Sequence, residues 1–418
     1  MQTKTSDNQP LNDITILDLT NGIAGPYCTK MLADYGAKII KIEHPLSGDF
    51  SRKIGPFPGN ISNQEKSGTF LLLNNNKRSV GLNLKSSEGK SIIHKLIAKS
   101  DMVIESFSPG VMERLELDYS TLSKSYPKLI MTSISNFGQT GPYANYKASE
   151  LVFFGMGGRM HSSGLPERNS VKLGGNHVQY QAGNMAAMAT MFAFYGLTYQ
   201  KNQGQHVDIS IFESQMGSMN ARISQLVAYQ YNGEKSSRAV YGAGGFPSGF
   251  YECKDGFINI QGTGSFWPRV TEMLGRPDLK DNPLFAPPLG QLNPESKEEF
   301  LSSIWNPWLS TRTKNEVVEE CQKFGIPTGS VNNVKEVMNN NPQFAYRGYF
   351  GTIDHPVAGS FKYPGPHFVT EQNWWKIRNH APTLGQHTNE VLNELGYSPL
   401  TIFELAQKGV ISNISKEN

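Results

Sequence analysis

Few residues in this chain have the types and spacing to do chemistry. Gln179 opens the stretch Gln179-Tyr180-Gln181-Ala182-Gly183, which leads into a long apolar helical pattern from Asn184 to Tyr199. A neutral amide is a poor nucleophile, because it has no anionic oxygen. Carboxylates are scarce nearby. No aspartate occurs between Asp118 and Asp208, and the only glutamates in that interval are Glu150 and Glu167. His161 and His177 flank the stretch, and His177 reads as a structural histidine. Cys28, Cys253 and Cys321 stand beside no obvious base, so they read as core thiols. No pair of them has metal-ligand spacing. Lys77-Arg78 is the one candidate for a local cationic spot before the middle of the chain. Arg114 offers a guanidinium suited to phosphate through forked hydrogen bonds, with a solvated helix charge as the other reading.

The composition bounds what these residues can serve. With 418 residues the chain can bury a large core and more than one domain. Hydrophobic residues make up 38% and charged residues 18%, which fits a globular chain. The net charge of +3 is spread along the sequence, so nothing suggests a nucleic-acid or membrane surface. An odd, sparse cysteine count argues against a disulfide scaffold and for a reducing compartment. Met1 to Asn12 is polar and lacks an apolar secretion segment. A cytoplasmic protein is the simplest expectation.

The elements that must position the candidates follow from periodicity. Ile14 to Leu19 reads as a buried strand, Thr29 to Tyr35 as a helix ending at Gly36, and Lys38 to Ile42 as a second strand. Val80 to Leu84, Met102 to Glu105 and Leu129 to Ile134 read as further strands, and Ser87 to Lys99 as a helix. The alternation predicts a doubly wound α/β domain with a parallel sheet. Ala182 to Tyr199 is apolar nearly all round, which predicts a buried helix. Glu213 to Tyr231 is a second long helix candidate. Tyr241 to Gly249 is glycine-rich, and Ser248 to Gln261 reads as a hairpin about Lys254-Asp255-Gly256. Helices are expected over Lys297 to Leu309 and Lys314 to Phe324. The division is therefore a large domain over 1–215, a linker over 216–244, a small α/β domain over 245–334, and a return segment over 335–418. That last segment is expected to be mostly extended from Gln343 onward, with a helix at Thr388 to Leu395.

Gln179-Tyr180-Gln181-Ala182-Gly183, followed by Gly204-Gln205-His206-Val207-Asp208-Ile209-Ser210, resembles the core signature of the class III CoA-transferases (CaiB/BaiF), the family of formyl-CoA transferase, carnitine CoA-transferase and α-methylacyl-CoA racemase. The resemblance runs from about Ile14 to Tyr397. It includes Leu32-Ala33-Asp34-Tyr35-Gly36-Ala37, Asp101-Met102-Val103-Ile104-Glu105-Ser106-Phe107-Ser108-Pro109-Gly110 and Ser135-Asn136-Phe137-Gly138-Gln139-Thr140-Gly141-Pro142. It implies a Rossmann-like large domain plus a smaller α/β domain, in a ring-shaped chain that interlocks with a second ring. It also implies a catalytic aspartate at the position held by Gln179. In the family that carboxylate attacks the acyl-CoA thioester to form a mixed anhydride. CoA thiolate then attacks the anhydride to give an enzyme thioester, and the acceptor acid takes the CoA through a second anhydride.

The remaining roles are likewise what the resemblance implies. Arg114 matches a CoA-contacting arginine. Ser106-Phe107 stands where the family has Asn-Phe beside the pantetheine arm. Lys77 and Arg78 are candidates for the CoA phosphates, and His44 for the adenine end, with a surface pair and a His-Pro turn as the alternatives. Gly242, Gly244 and Gly245 resemble a mobile glycine loop over the active site, and Gln139 is a candidate for the acyl pocket. Phe153, Phe154, Met156 and Met160 would make an apolar acyl wall or part of the core. Gln386 replaces a usual glutamate. The racemase branch would need a histidine where Ser149 stands. CoA or acyl-CoA is expected as a substrate, with no permanent cofactor and no metal. Three readings of Gln179 stay open. The chain is a non-catalytic subunit whose homologous partner supplies the aspartate, as in the two-subunit succinyl-CoA:benzylsuccinate CoA-transferase; or it acts alone with another catalytic residue; or it is a CoA-binding scaffold.

Overall fold

Short apolar runs become six strands: β1 (Thr15–Leu19), β2 (Lys38–Glu43), β3 (Lys77–Gly81), β4 (Met102–Glu105), β5 (Ile130–Ser135) and β6 (His206–Ser210). They pair in the order β3-β2-β1-β4-β5-β6, every pair parallel. Alternate residues face opposite layers. Ile16, Ile39, Met102 and Ile130 pack with Cys28, Leu32, Val178 and Ala182 from the helices Ala24–Asp34 and His177–Tyr199. Leu17, Ile40, Val103 and Met131 pack with Ile92, Leu96, Leu392 and Ile402 from the helices Ser87–Ile97, Thr388–Glu394 and Pro399–Gln407. A parallel sheet must be covered on both faces, and each buried Leu or Ile contributes about 1.5–3 kcal/mol.

The computed structural model describes residues 9–200, 203–218, 220–235, 237–238 and 245–412. The chain forms two compact units, Met1–Met160 with Lys172–Lys235 and Gly348–Asn418, and His161–Val171 with Ser236–Arg347. The smaller unit is built on an antiparallel sheet of β7 (Ser248–Cys253), β8 (Gly256–Gln261) and β9 (Thr328–Val331). Its core is aromatic: Phe246 stacks on Phe300 with ring centroids 4.9 Å apart, beside buried Trp267 and Trp305. In the larger unit β10 (Phe350–His355) and β11 (Gly359–Pro364) form a separate hairpin.

Several expectations are corrected. The third strand begins at Lys77, three residues before Val80, because the Lys77 ammonium is drawn inside onto Asp18. The helix His177–Tyr199 is not buried all round: Phe192 and Tyr199 are 67% and 70% exposed. The predicted helix over Lys297 to Leu309 is interrupted by a wider turn at Leu301–Trp305. The segment after Gln343 carries the helix Pro399–Gln407 as well as extended chain.

Candidate active site

The strand order reverses direction between β1 and β4, and a crevice opens beyond the carboxyl ends of such strands. A cavity of about 160 Å³ lies there, lined by Asn21 after β1, Ser106 and Phe107 after β4, and Ser135 and Asn136 at the end of β5. Gln179 and Lys147 complete its polar wall. Among the described residues no carboxylate lines this cavity. A second cavity of about 210 Å³ shares Asn21 and Phe107 and is further lined by His44, Lys85, Val111 and Leu115.

Two helix starts reach the first cavity. Ala24 and Gly25 begin the helix Ala24–Asp34, which has no side-chain cap, and Gln179 lies in the first turn of the helix His177–Tyr199. Uncapped amides at the start of the helix Ala24–Asp34 and its dipole favour negative charge at this point, whereas the Val178 N–H at the start of the other helix is already taken by Glu150. Glycine makes the approach possible. A Cβ at Gly25 would lie 2.3 Å from Thr20 Cβ, and one at Gly183 would lie 2.6 Å from the Ala24 carbonyl oxygen.

The polar scaffold beneath is buried and paired. Lys41 Nζ lies 2.7 Å from Asp49 Oδ2, and Lys77 Nζ 3.1 Å from Asp18 Oδ2. Burial alone would raise the Asp18 pKa, but Lys41 and Lys77 overcome it and hold the carboxyl down at about 2. Burial lowers Lys77 to about 8 against the pull of Asp18. Arg52 forks onto Glu43 at 2.7 and 2.8 Å. The Asp49 Oδ1 accepts the Gly22 N–H at 3.0 Å and so ties this network to the loop after β1.

The sequence candidates separate into two groups. Gln179, Ser106 and Phe107 meet at the first cavity, and His44 lines the second. Ser106 Oγ accepts the Asn21 N–H at 2.8 Å, which joins the loops after β1 and β4. His44 Nδ1 accepts from the Leu46 and Ser47 amides at 3.3 Å, so it forms the turn and also faces the cavity. Arg114 is exposed on the helix Val111–Leu115, whose ends line the second cavity. Lys77 and Arg78 are not brought to the crevice. Lys77 is spent on Asp18, Thr29, Asn74 and the Pro26 carbonyl. Arg78 pairs with Glu390 and Glu394 at a cavity around the amino ends of β1 and β2. Neither presents a free cation to a phosphate at the strand ends.

Gln139 gives its backbone N–H to Asp208 at 2.9 Å, and its side chain does not line the cavity. Phe153 and Phe154 are core residues, and Met156 is 42% exposed. Gln386 Oε1 accepts the Thr383 N–H at 2.9 Å in a local turn. Gly245 packs closely on Gln291 within the smaller unit, whereas Gly242 and Gly244 lie outside the described residues. Burial raises the pKa of all three thiols. Among the described residues no cluster of His, Cys, Asp or Glu could hold a metal, and no helix is long and apolar enough to cross a membrane.

Sequence reasoning missed Asn21, Asn136, Lys147 and Lys85. Their only signal is position, since Asn136 directly follows β5 and Asn21 lies two residues beyond β1. Glu150 is also informative: its Oε1 accepts the Val178 N–H at 2.7 Å, one residue before Gln179, and its Oε2 has no hydrogen-bond partner.

Known proteins match this architecture. The succinyl-CoA–L-malate CoA-transferase α subunit of Chloroflexus aurantiacus is 31% identical over 92% of this chain and 89% of its own length. The β subunit of that enzyme is 29% identical over 97% of this chain and 99% of its own length. The human succinyl-CoA:glutarate CoA-transferase is 30% identical over 98% and 92%. A CAIB/BAIF family protein from Brucella suis superposes with a TM-score of 0.79 at 27% identity, over 93% of this chain and all of that one. The model of CoA-transferase family III matches residues 11–388. Fold, crevice and sequence agree that this chain belongs to CoA-transferase family III.

Proposed function

We propose that this chain is the non-catalytic subunit of a heteromeric CoA-transferase, which moves CoA between an acyl-CoA donor such as succinyl-CoA and a carboxylic acid. The observation that carries the reading is the wall of the first cavity: Gln179 occupies it with a neutral amide, and no described residue lining that cavity is an aspartate or glutamate. Transfer through an anhydride needs an ionised oxygen that becomes an acyl carrier and then leaves. An amide cannot take that part, so a homologous partner with an aspartate at this position supplies it.

What remains here suits a thioester ligand. Two helix starts, Lys147 and the turn at Ser106-Phe107 offer donors and apolar surface for binding. Relatives named as α and β subunits of one CoA-transferase support a two-chain arrangement. A subunit of the succinyl-CoA:benzylsuccinate type fits the same pattern, though no residue on the wall reads out the acid.

A second reading has its own observation. Glu150 is buried beside the first turn that carries Gln179 and keeps one oxygen without a hydrogen-bond partner. In an enzyme acting alone, Glu150 would be the acyl carrier. Purification separates the two readings: a stable complex with a homologous chain bearing the aspartate supports the heteromer, and transferase activity in a preparation of this chain alone supports Glu150. A binding scaffold would retain CoA affinity in either preparation and show transfer in neither.

A further inference from the structure

One buried carboxylate at the crevice has no part in the account above. Glu105 ends β4 and is 2% exposed. Its register partners are Leu19 on β1 and Ser133 on β5, and Ser133 in turn faces Asp208 on β6. Glu105, Ser133 and Asp208 therefore form a polar row across three strand ends. Glu105 Oε2 accepts the Phe107 N–H at 2.7 Å. The Ser133 hydroxyl also bonds the carboxyl, and Ser133 Oγ lies 2.9 Å from His206 Nε2. His206 stacks on Tyr119 with centroids 5.5 Å apart and is solvent-exposed. A path of hydrogen bonds thus runs from solvent through His206 and Ser133 to the buried carboxyl. At its inner end stands Phe107, which walls both cavities.

We propose that Glu105 is a positioning residue: its ionised carboxylate clamps the Phe107 amide and fixes the wall shared by the two cavities, and its protonation loosens that wall. An N–H···O bond to a carboxylate is roughly twice as strong as one to a neutral acid. When the carboxyl takes a proton it donates to Ser133, whose own hydroxyl turns toward His206; the imidazole gives up its Nε2 proton to solvent and takes one at Nδ1, so the row stays satisfied while the Phe107 bond weakens. The groups that face Glu105 favour this change near neutral pH. Burial raises its pKa most, and the like charges of Glu113 on the helix Val111–Leu115 and Asp208 on β6 add to it, bringing it to about 7. Leu19, on the β1 side, carries no charge. Partial burial of the His206 ring lowers its pKa, against the pull of Asp208 and Glu113.

The inference rests on the two cavities being the CoA site, and the test keeps the two ideas apart. The chain is labelled with ¹⁵N-phenylalanine, and the Phe107 amide is assigned through Phe107→Leu. The amide resonance is followed from about pH 5.5 to about pH 8.5, and CoA binding is measured by calorimetry over the same range. The expected result is a Phe107 amide shift with a midpoint at about 7, unchanged in His206→Gln and absent in Glu105→Gln. CoA affinity should fall roughly three- to tenfold on the acid side in the unmodified chain and stay flat in Glu105→Gln. A flat Phe107 amide, a titration that disappears in His206→Gln, or CoA binding that ignores the amide titration each overturns the proposal. A titrating amide with no CoA binding at any pH upholds the clamp and removes the CoA reading instead.

Discussion

Gly183 backs directly onto Ala24: a Cβ at Gly183 would stand 2.6 Å from the Ala24 carbonyl oxygen and 3.0 Å from the Tyr27 ring. This contact lets the helices Ala24–Asp34 and His177–Tyr199 bring their starts to one cavity. Gly183→Ala forces them apart at a site with no room to adjust. It should cost roughly 1–3 kcal/mol of stability, as overpacking does, and weaken CoA binding. Chemical denaturation and calorimetry check both, and an unchanged pair of values would show that the close approach does not set the cavity.

Lys77 is internal scaffolding rather than a phosphate ligand. Lys77→Met leaves the Asp18 carboxylate buried with Lys41 4.0 Å away as its remaining cation. Breaking a buried pair in this way costs about 3–5 kcal/mol. The loss should appear in denaturation midpoints, with CoA affinity of the still-folded fraction unchanged. A variant of full stability that binds CoA poorly would return Lys77 to the binding site.

Asp18 makes stability depend on acid. Its carboxyl sits at about 2 in the folded chain against an ordinary 3.8. The folded state therefore binds fewer protons between these values than the unfolded state. The resulting stabilisation, about 2 kcal/mol, is complete above about pH 4 and is lost as pH falls through about 2. Asp18→Asn removes this dependence, and denaturation curves taken at several acid pH values would show the difference in slope.

The exposed stripe on the helix His177–Tyr199 should serve assembly. Phe192 is 67% and Tyr195 57% exposed in the single chain. Replacing both with serine should change the stability of the chain by no more than about 0.5 kcal/mol each yet weaken its association with the partner. Light scattering on the eluted complex measures this, and intact assembly would place the interface elsewhere.

Much of the sheet was legible because parallel strands buried on both faces read as plain apolar runs. Met102 to Ile104 carries that pattern, and Lys38 to Ile42 carries it with Lys41 as a buried charge in its interior. The start of β3 was hidden because Lys77 looks like a surface residue until Asp18 is seen across the sheet. The exposed side of the helix His177–Tyr199 was hidden for a different reason. Met, Phe and Tyr give the same signal whether they meet this chain's core or another chain's surface. At the crevice, Gln179, Ser106 and Phe107 were legible through motif order. Asn21, Lys147 and Lys85 were not, because single polar residues in loops have no periodicity and come together only when strands β1, β4 and β5 end side by side.

The proposed division of labour leaves the acyl-carrying carboxylate on the partner rather than on this chain. The direct measurement is hydroxylamine trapping of the native assembly during turnover, followed by peptide mass analysis of both chains. An adduct is expected on an aspartyl peptide of the partner and none on this chain, at Gln179, at Glu150 or elsewhere. A hydroxamate on this chain, formed in the absence of any partner, would contradict it.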